Sequence, residues 1–252
     1  MNVIKSEIFK MIRKKEVYLF LVLVLSCSAL FAVLMGKDST SMQIQGLDKM
    51  GGEFFSVFLY VFLFELFLVP IIFAVVVVRT WASDFSNGTI AYDITLSNNR
   101  TVVFIGKVII SLGVCLVYTA ILIGSAILFY RVLAASGKYY TSDLMYLVDD
   151  SYWKFLITSL LVVLFICAIT TFFSMSENPT LSIILTIGLL MLFRLLEKVE
   201  SIKQWIPTHL LNASNSLEAT TEDFWIGVIV IVAISGGLYA VSYKIFKKKN
   251  IK

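Results

Sequence analysis

Residues 54–78 read FFSVFLYVFLFELFLVPIIFAVVVV, an apolar run that contains one acid, Glu65, and one proline, Pro70. A hydrocarbon core about 30 Å thick is crossed by about 20 such residues in an α-helix, so the run predicts a membrane span. Similar runs lie on both sides of it. Together they predict six spans, at 17–35, 54–78, 102–129, 155–175, 181–196 and 224–246.

The composition agrees with a membrane protein. Hydrophobic residues make up 59% of the chain and charged residues only 15%, whereas soluble domains carry about 25% charged residues. We therefore expect one all-helical transmembrane domain over residues 1–252. Basic residues flank both ends, which predicts cytoplasmic termini by the positive-inside rule and agrees with an even number of spans. These residues are Lys5, Lys10, Arg13, Lys14 and Lys15 at the start, and Lys244, Lys247, Lys248, Lys249 and Lys252 at the end.

Two segments outside the spans have amphipathic character. Residues 1–16 place Ile4, Ile8, Met11 and Ile12 on one helical face, which favours a helix lying along the inner lipid surface over a frayed basic tail. Residues 197–223 are unusually apolar for a hydrated loop. We expect short helices there that dip into the outer leaflet, and we expect Arg194, just before them, to extend outward.

Several function classes are excluded by what the chain lacks. The surplus of +4 charges is explained by topology, and aromatic residues do not alternate with a basic patch, so we expect no nucleic-acid partner. Gly106-Lys107 lacks the upstream glycine and following hydroxyl of a P-loop. The chain has one histidine, His209, and no paired aspartates or HExxH motif. We therefore predict no catalytic residue, no metal site and no cofactor in this chain.

Glu65 is the one acid deep within a predicted span. A charge at this depth costs on the order of 3 kcal/mol on insertion scales, so the carboxyl must face protein or water. Two interpretations follow. Glu65 lines a cavity and meets a cationic part of a cargo, or it forms an interhelical hydrogen bond with serine, threonine or tyrosine hydroxyls.

The loop at 79–101 is the longest polar stretch that the charge pattern assigns to the cytosol. Its notable residues are Trp81, Asp84, Phe85, Gly88, Thr89 and Arg100. Lys107 follows in the third span. The simplest alternative is a solvated hairpin between two spans.

This order of residues resembles the permease subunits of ABC-2-type transporters, in which an acid, a Gly-Thr pair, an arginine element and a lysine follow the second span. Two positions depart from the family pattern. Asp84 stands where glutamate is usual, and Leu96-Ser97-Asn98-Asn99-Arg100 replaces a proline-containing turn.

The resemblance implies that 79–101 forms a coupling helix that docks on a separate ATPase. In that contact Trp81, Phe85 and Ile90 form an apolar anchor, Asp84 and Arg100 pair across the contact, and Gly88, before Thr89, permits a tight turn at the helix end. It implies two ATPase copies that bind ATP and Mg²⁺, a second permease copy or paralogue, surrounding lipid, and a bacterial cytoplasmic membrane. The subfamily it most resembles exports amphipathic peptides, as in bacteriocin immunity and phenol-soluble-modulin export.

Three other functions compete with peptide export. The chain is alternatively an efflux permease for drugs or lipids, an ion-coupled secondary carrier with Glu65 as its ion site, or a membrane scaffold without transport activity.

Overall fold

The computed structural model describes residues 2–36, 51–135, 150–199 and 221–249, together with the single positions 140, 206, 207 and 209. Almost all of these residues are helical. The helices are α1 (Asn2–Ile12), α2 (Lys15–Gly36), α3 (Gly52–Glu65), α4 (Leu68–Thr80), α5 (Ala82–Ser86), α6 (Thr89–Ser97), α7 (Arg100–Leu133), α8 (Asp150–Ser174), α9 (Pro179–Leu196) and α10 (Thr221–Lys248).

Six segments in the described part of the chain are long and apolar enough to cross a membrane. This confirms the predicted all-helical fold with six spans. The segments are Lys15–Met35, Leu68–Ser86, Arg100–Leu133, Tyr152–Ser174, Pro179–Leu196 and Glu222–Lys248.

The second span differs from its prediction as one continuous helix over 54–78. It is broken between α3 and α4, where Phe67 adopts a left-handed backbone conformation with φ of 58°. Pro70 gives the physical reason. Proline has no N–H to donate to the carbonyl of Leu66, and its ring clashes with that carbonyl in a continuous helix. Proline is tolerated in the first turn of a helix, which is where Pro70 lies in α4. The predicted run is therefore two helices joined at a bend, and α3 precedes the segment Leu68–Ser86 that is long enough to cross a membrane.

The core of the bundle lies around α4 and α8, which are the most buried spans. Helix α2 packs on α7, and α10 packs on α8. Aromatic pairs fill the space near α3: Phe55 stacks on Tyr130 at 4.8 Å between ring centroids, and Tyr60 meets Phe155 edge-on at 5.5 Å.

The turn between α8 and α9 is short, as its sequence predicts. Asn178 caps α9 by accepting a hydrogen bond from the backbone N–H of Leu181 at 3.1 Å, and Pro179 occupies the first helical position. The two helices consequently run antiparallel.

Helix α1 has one face against the bundle and one face away from it. Met11 and Glu7 are buried, whereas Ile8, Phe9 and Ile12 are exposed. An exposed apolar face beside a basic one is the pattern of an interfacial helix, and the position of α1 at the lipid surface stays a prediction. The predicted outer helices within 197–223 fall mostly outside the described residues.

Candidate functional site

The polar stretch between α4 and α7 folds as two short helices, α5 and α6, joined by a tight turn at Gly88. The φ of Gly88 is +71°, a left-handed conformation that glycine adopts without penalty. Thr89 supports the turn because its hydroxyl donates a hydrogen bond of 3.3 Å to the carbonyl of Asp84. The expected tight turn at Gly88-Thr89 is thus present.

Lys107, near the start of α7, is the centre of the site. Its side chain is 0% exposed, and its ammonium group forms an ion pair with Asp84 at the carboxylate Oδ2. It also contacts Oε1 of Glu7 at 3.1 Å and Oδ2 of Asp93 at 3.4 Å. A fourth contact runs to the carbonyl of Thr80 at 3.1 Å. Lys107 therefore holds α1, α5, α6 and the end of α4 together.

Lys10 on α1 adds a second cation to the same group. Its Nζ lies 2.8 Å from Oε1 of Glu7 and 2.9 Å from Oδ1 of Asp93. Burial opposes the charge on Lys10, but the hydrogen bonds to Glu7 and Asp93 outweigh it, so the pKa of Lys10 is raised above its ordinary value. Helix α1 is consequently fastened to α6 by charged groups.

We call these five side chains the charge network: Glu7, Lys10, Asp84, Asp93 and Lys107. One oxygen from each of the three acids lies within 4.8 Å of the others, a spacing that also suits a metal ion. Lys107 already places its ammonium group against all three carboxylates. Ion pairing therefore explains the arrangement. Ion pairs offset the free-energy cost of burying charges only when each charge is well paired.

One side of α6 is exposed, in contrast to the buried acids of the charge network. Tyr92 is 67% exposed and Leu96 is 52% exposed, one helical turn apart on α6. The turn at residues 86–89 is exposed beside them. We call residues 86–89, Tyr92 and Leu96 the exposed tip.

The match to known families fits this geometry. A family model described as "ABC-2 family transporter protein" matches residues 3–193, most of the chain and all of the charge network. The chain belongs to the ABC-2 transporter family. It is the multi-pass membrane permease component, which lacks ATPase activity of its own, and ABC-2 permeases generally pair with an ATPase subunit. A search of curated proteins gives no match.

Trp81 occupies a different place in this ABC-2 permease from the one expected. It is fully buried, with its ring 5.1 Å from that of Phe104 and 5.9 Å from that of Phe246. Ile90 is also buried. Because neither side chain reaches the surface, an apolar anchor formed directly by Trp81 and Ile90 is not found. Both side chains belong to the hydrophobic core of the bundle.

Asp84 and Arg100, which are expected to pair across the docking contact, both have partners within the chain. Asp84 pairs with Lys107, whereas Arg100 donates hydrogen bonds of 2.9 Å to the carbonyls of Lys247 and Lys249. These carbonyls lie at the end of α10, where no backbone N–H within the helix is available to donate to them. The guanidinium of Arg100 supplies the missing donors.

Phe85 is half-buried and belongs to a second set of contacts at the end of α10. The ammonium group of Lys249 lies 4.4 Å above its ring and 2.9 Å from Oε1 of Glu177. Lys249 also donates a hydrogen bond to the carbonyl of Met175. The helix pair α5 and α6 in this permease is thus fixed at one side to α1 and α7, and at the other to α10 and the α8–α9 turn.

Glu65 forms an ion pair with Arg194 of α9. The interhelical interpretation predicts a hydroxyl partner for Glu65, whereas the partner in the structure is the charged guanidinium of Arg194. The guanidinium of Arg194 lies over the rings of Phe67 at 5.1 Å and Phe64 at 5.7 Å, and its extension toward the outer membrane surface stays a prediction.

The sequence argument identified Asp84 and mentioned Lys107, but it missed Glu7, Lys10 and Asp93. A signal was available in the apolar surroundings of Lys107, since an unpaired lysine within a span is costly and requires acids nearby. The sequence does not say which acids, because Glu7 lies 100 residues away in the chain.

Proposed function

We propose that this chain is the membrane-spanning subunit of an ATP-driven exporter of hydrophobic or amphipathic peptides, and that its ATPase partner docks on the exposed tip. Two ATPase copies, which bind ATP and Mg²⁺, would act on two permease chains in a bacterial cytoplasmic membrane. Both termini of each permease chain lie on the cytoplasmic side in this proposal.

The charge network carries the proposal. An ATPase can drive the spans only if force on the docking surface reaches them. In this chain the inner faces of α5 and α6 are paired through Asp84 and Asp93 to Lys107 of α7. Lys107 is fully buried, so water does not screen these pairs as it screens surface ion pairs. Displacement of the exposed tip is therefore expected to move α7 and α1 with it.

The chemistry of the exposed tip supports a protein partner. Tyr92 and Leu96 share one side of α6 and are among its most exposed apolar side chains. Aromatic residues are enriched among the side chains that contribute most to protein interfaces. An apolar groove on the ATPase is the surface that complements them.

Amphipathic peptides are proposed as the cargo on the strength of the subfamily resemblance and of an aromatic content of 14%, which suits apolar cargo. Drug or lipid efflux is the alternative with similar chemistry. An ion-coupled carrier is less well supported, since Glu65 is engaged with Arg194, and ion binding would compete with that pair.

Co-expression tests the proposal. The chain is purified with the ATPase encoded beside it, reconstituted in lipid, and assayed for ATP hydrolysis. We expect a stable complex whose ATPase rate rises with amphipathic peptides. Stimulation by drugs or lipids alone supports the efflux alternative, and the absence of any complex contradicts the proposal.

A further inference from the structure

Helix α1 leads directly into the first of the segments that are long and apolar enough to cross a membrane. Arg13 and Lys14 separate Ile12, the last residue of α1, from Lys15, the first residue of α2. At a rise of about 1.5 Å per residue, side chains this close to the start of a span lie at the level of the lipid headgroups. The span that follows α1 therefore places the end of α1 at one face of the bilayer.

The side of α1 that faces away from the bundle is apolar, with one cation in it. Ile8, Phe9 and Ile12 are exposed. Lys5 is also exposed, and it shares their side of the helix because it lies one helical turn before Phe9. The opposite side packs on the bundle through the buried Glu7. We call the exposed side the outer face of α1.

Three cations at the outer face have no acid beside them. Lys5, Arg13 and Lys15 are exposed, and none of them forms an ion pair within the part of the chain that the structure describes. The two acids of α1 and α2 are engaged elsewhere. Glu7 belongs to the charge network, and Glu16 pairs with the arginine of α4 at 2.7 Å. The outer face therefore carries an uncompensated positive charge.

An aromatic ring positions one of these cations. The guanidinium of Arg13 lies 4.0 Å from the centroid of the Phe9 ring, a cation–π contact. The neighbouring Lys14 turns back to the protein instead, where it donates a hydrogen bond of 2.8 Å to the carbonyl of Arg79. A guanidinium binds phosphate oxygens with two parallel hydrogen bonds. Arg13 thus combines a phosphate-binding group with an adjoining apolar ring.

We propose that the outer face of α1 binds an anionic phospholipid. Its exposed cations bind the phosphate headgroup, and its exposed apolar side chains contact the acyl chains next to that headgroup. Buried apolar area and attraction to anionic lipid are the two contributions that hold such helices on membranes. The three charges repel a cationic peptide, which makes the outer face unsuited to that kind of cargo.

Lipid bound at the outer face connects the bilayer to the charge network. Glu7 and Lys10 extend from α1 to Lys107 and Asp93. Lipid on one side and α7 with α6 on the other therefore hold α1 between them. This binding goes beyond the proposed function and needs neither the ATPase nor a cargo, so the purified chain alone suffices to test it.

The affinity of the full chain for lipid tests the site. The chain is purified in detergent, and native mass spectrometry measures its binding of phosphatidylglycerol and of phosphatidylcholine with the same acyl chains. We expect the anionic lipid to bind at least about fivefold more tightly, because the neutral lipid gains nothing from the three cations. Equal affinities overturn the proposal.

Charge removal locates the site. Two variants remove three exposed cations each, K5Q/R13Q/K15Q at the outer face and K244Q/K247Q/K248Q on α10 as the matched control. We expect the first variant to lose at least about fivefold in affinity for phosphatidylglycerol and the control less than about twofold. An unchanged affinity in the first variant, or an equal loss in the control, overturns the assignment to α1.

Photo-crosslinking identifies the occupant without requiring either glutamine variant to fold. An aromatic photoreactive amino acid replaces Phe9, which is 56% exposed, or, as the control, Val22 of α2, which is 63% exposed. The chains are reconstituted in vesicles of equal amounts of phosphatidylglycerol and phosphatidylcholine. We expect adducts from position 9 to be enriched at least about threefold in phosphatidylglycerol over those from position 22. The same lipid ratio at both positions, or adducts of position 9 with protein only, contradicts the proposal.

Discussion

The ammonium nitrogen of Lys107 lies 3.1 Å from Oε1 of Glu7, although the two residues are 100 positions apart in the chain. The contact joins α1 to the start of α7, the third span. It makes α1 part of the same mechanical unit as α5 and α6.

We predict that K107M lowers the free energy of unfolding by about 3 to 5 kcal/mol, because it leaves buried carboxylates without their central partner. Thermal unfolding in detergent measures the change. K244M is the matched control, since Lys244 is an exposed lysine on α10. Equal stability of the two variants contradicts the central role of Lys107.

Lys10 and Asp93 are predicted to be coupled. In a double-mutant cycle with K10M and D93N, the combined loss of stability should differ from the sum of the single losses by more than about 0.5 kcal/mol. The 2.9 Å contact between Nζ and Oδ1 is the reason. Additive losses contradict a direct contact.

Gly88 is predicted to be intolerant of a side chain for conformational reasons alone. A Cβ at this position meets no atom within 4 Å, so the cost of G88A arises from its φ of +71° and amounts to about 1 to 2 kcal/mol. G113A is the control, because Gly113 lies in α7 with similar open space and without a positive φ. That substitution should be neutral or stabilising. Denaturation of both variants in detergent distinguishes the two effects.

The exposed tip is predicted to bind the ATPase. Replacing Tyr92 and Leu96 together with alanine should weaken the complex at least about fivefold in a pull-down titration while leaving the melting temperature unchanged. Y18A is the control, since Tyr18 is an exposed tyrosine on α2. If Y18A weakens the complex as much as the tip variant, docking at the tip is not supported.

The pKa values of Lys14 and Lys10 are predicted to be shifted in opposite directions. Burial lowers the pKa of Lys14, whereas hydrogen bonds to Glu7 and Asp93 outweigh burial and raise the pKa of Lys10. Only the uncharged amine reacts with acetylating reagents. Relative to the denatured chain, Lys14 of the folded chain should therefore react at lower pH and Lys10 at higher pH.

The same directions set the pH dependence of stability. The contribution of Lys10 is present below its ordinary pKa of about 10.4 and is lost as the pH rises through its raised folded value. Unfolding followed above pH 10 checks this sign.

The sequence predicted those parts of the fold that depend on local composition. Apolar runs located the spans, and Gly88 located the turn. The break after Glu65 was missed because the apolar run continues unchanged, and only Pro70 marked it. At the site, residue types suggested contacts with a partner, but the structure turns Trp81 and Asp84 inward. The inward orientation of these two side chains depends on contacts with residues that are distant in the chain. The spacing of residues in the sequence does not predict such contacts.

The position of Glu7 also constrains the order of assembly during synthesis. Helix α1 leaves the ribosome first, but Asp93 and Lys107 follow about 5 to 20 s later at ordinary elongation rates. Until then α1 lacks its contacts with Asp93 and Lys107. Ribosome-bound chains should therefore leave α1 open to protease while Lys107 is still in the exit tunnel, and protect it once Lys107 has emerged. Closure of the charge network would then mark the emergence of the start of α7, the third span.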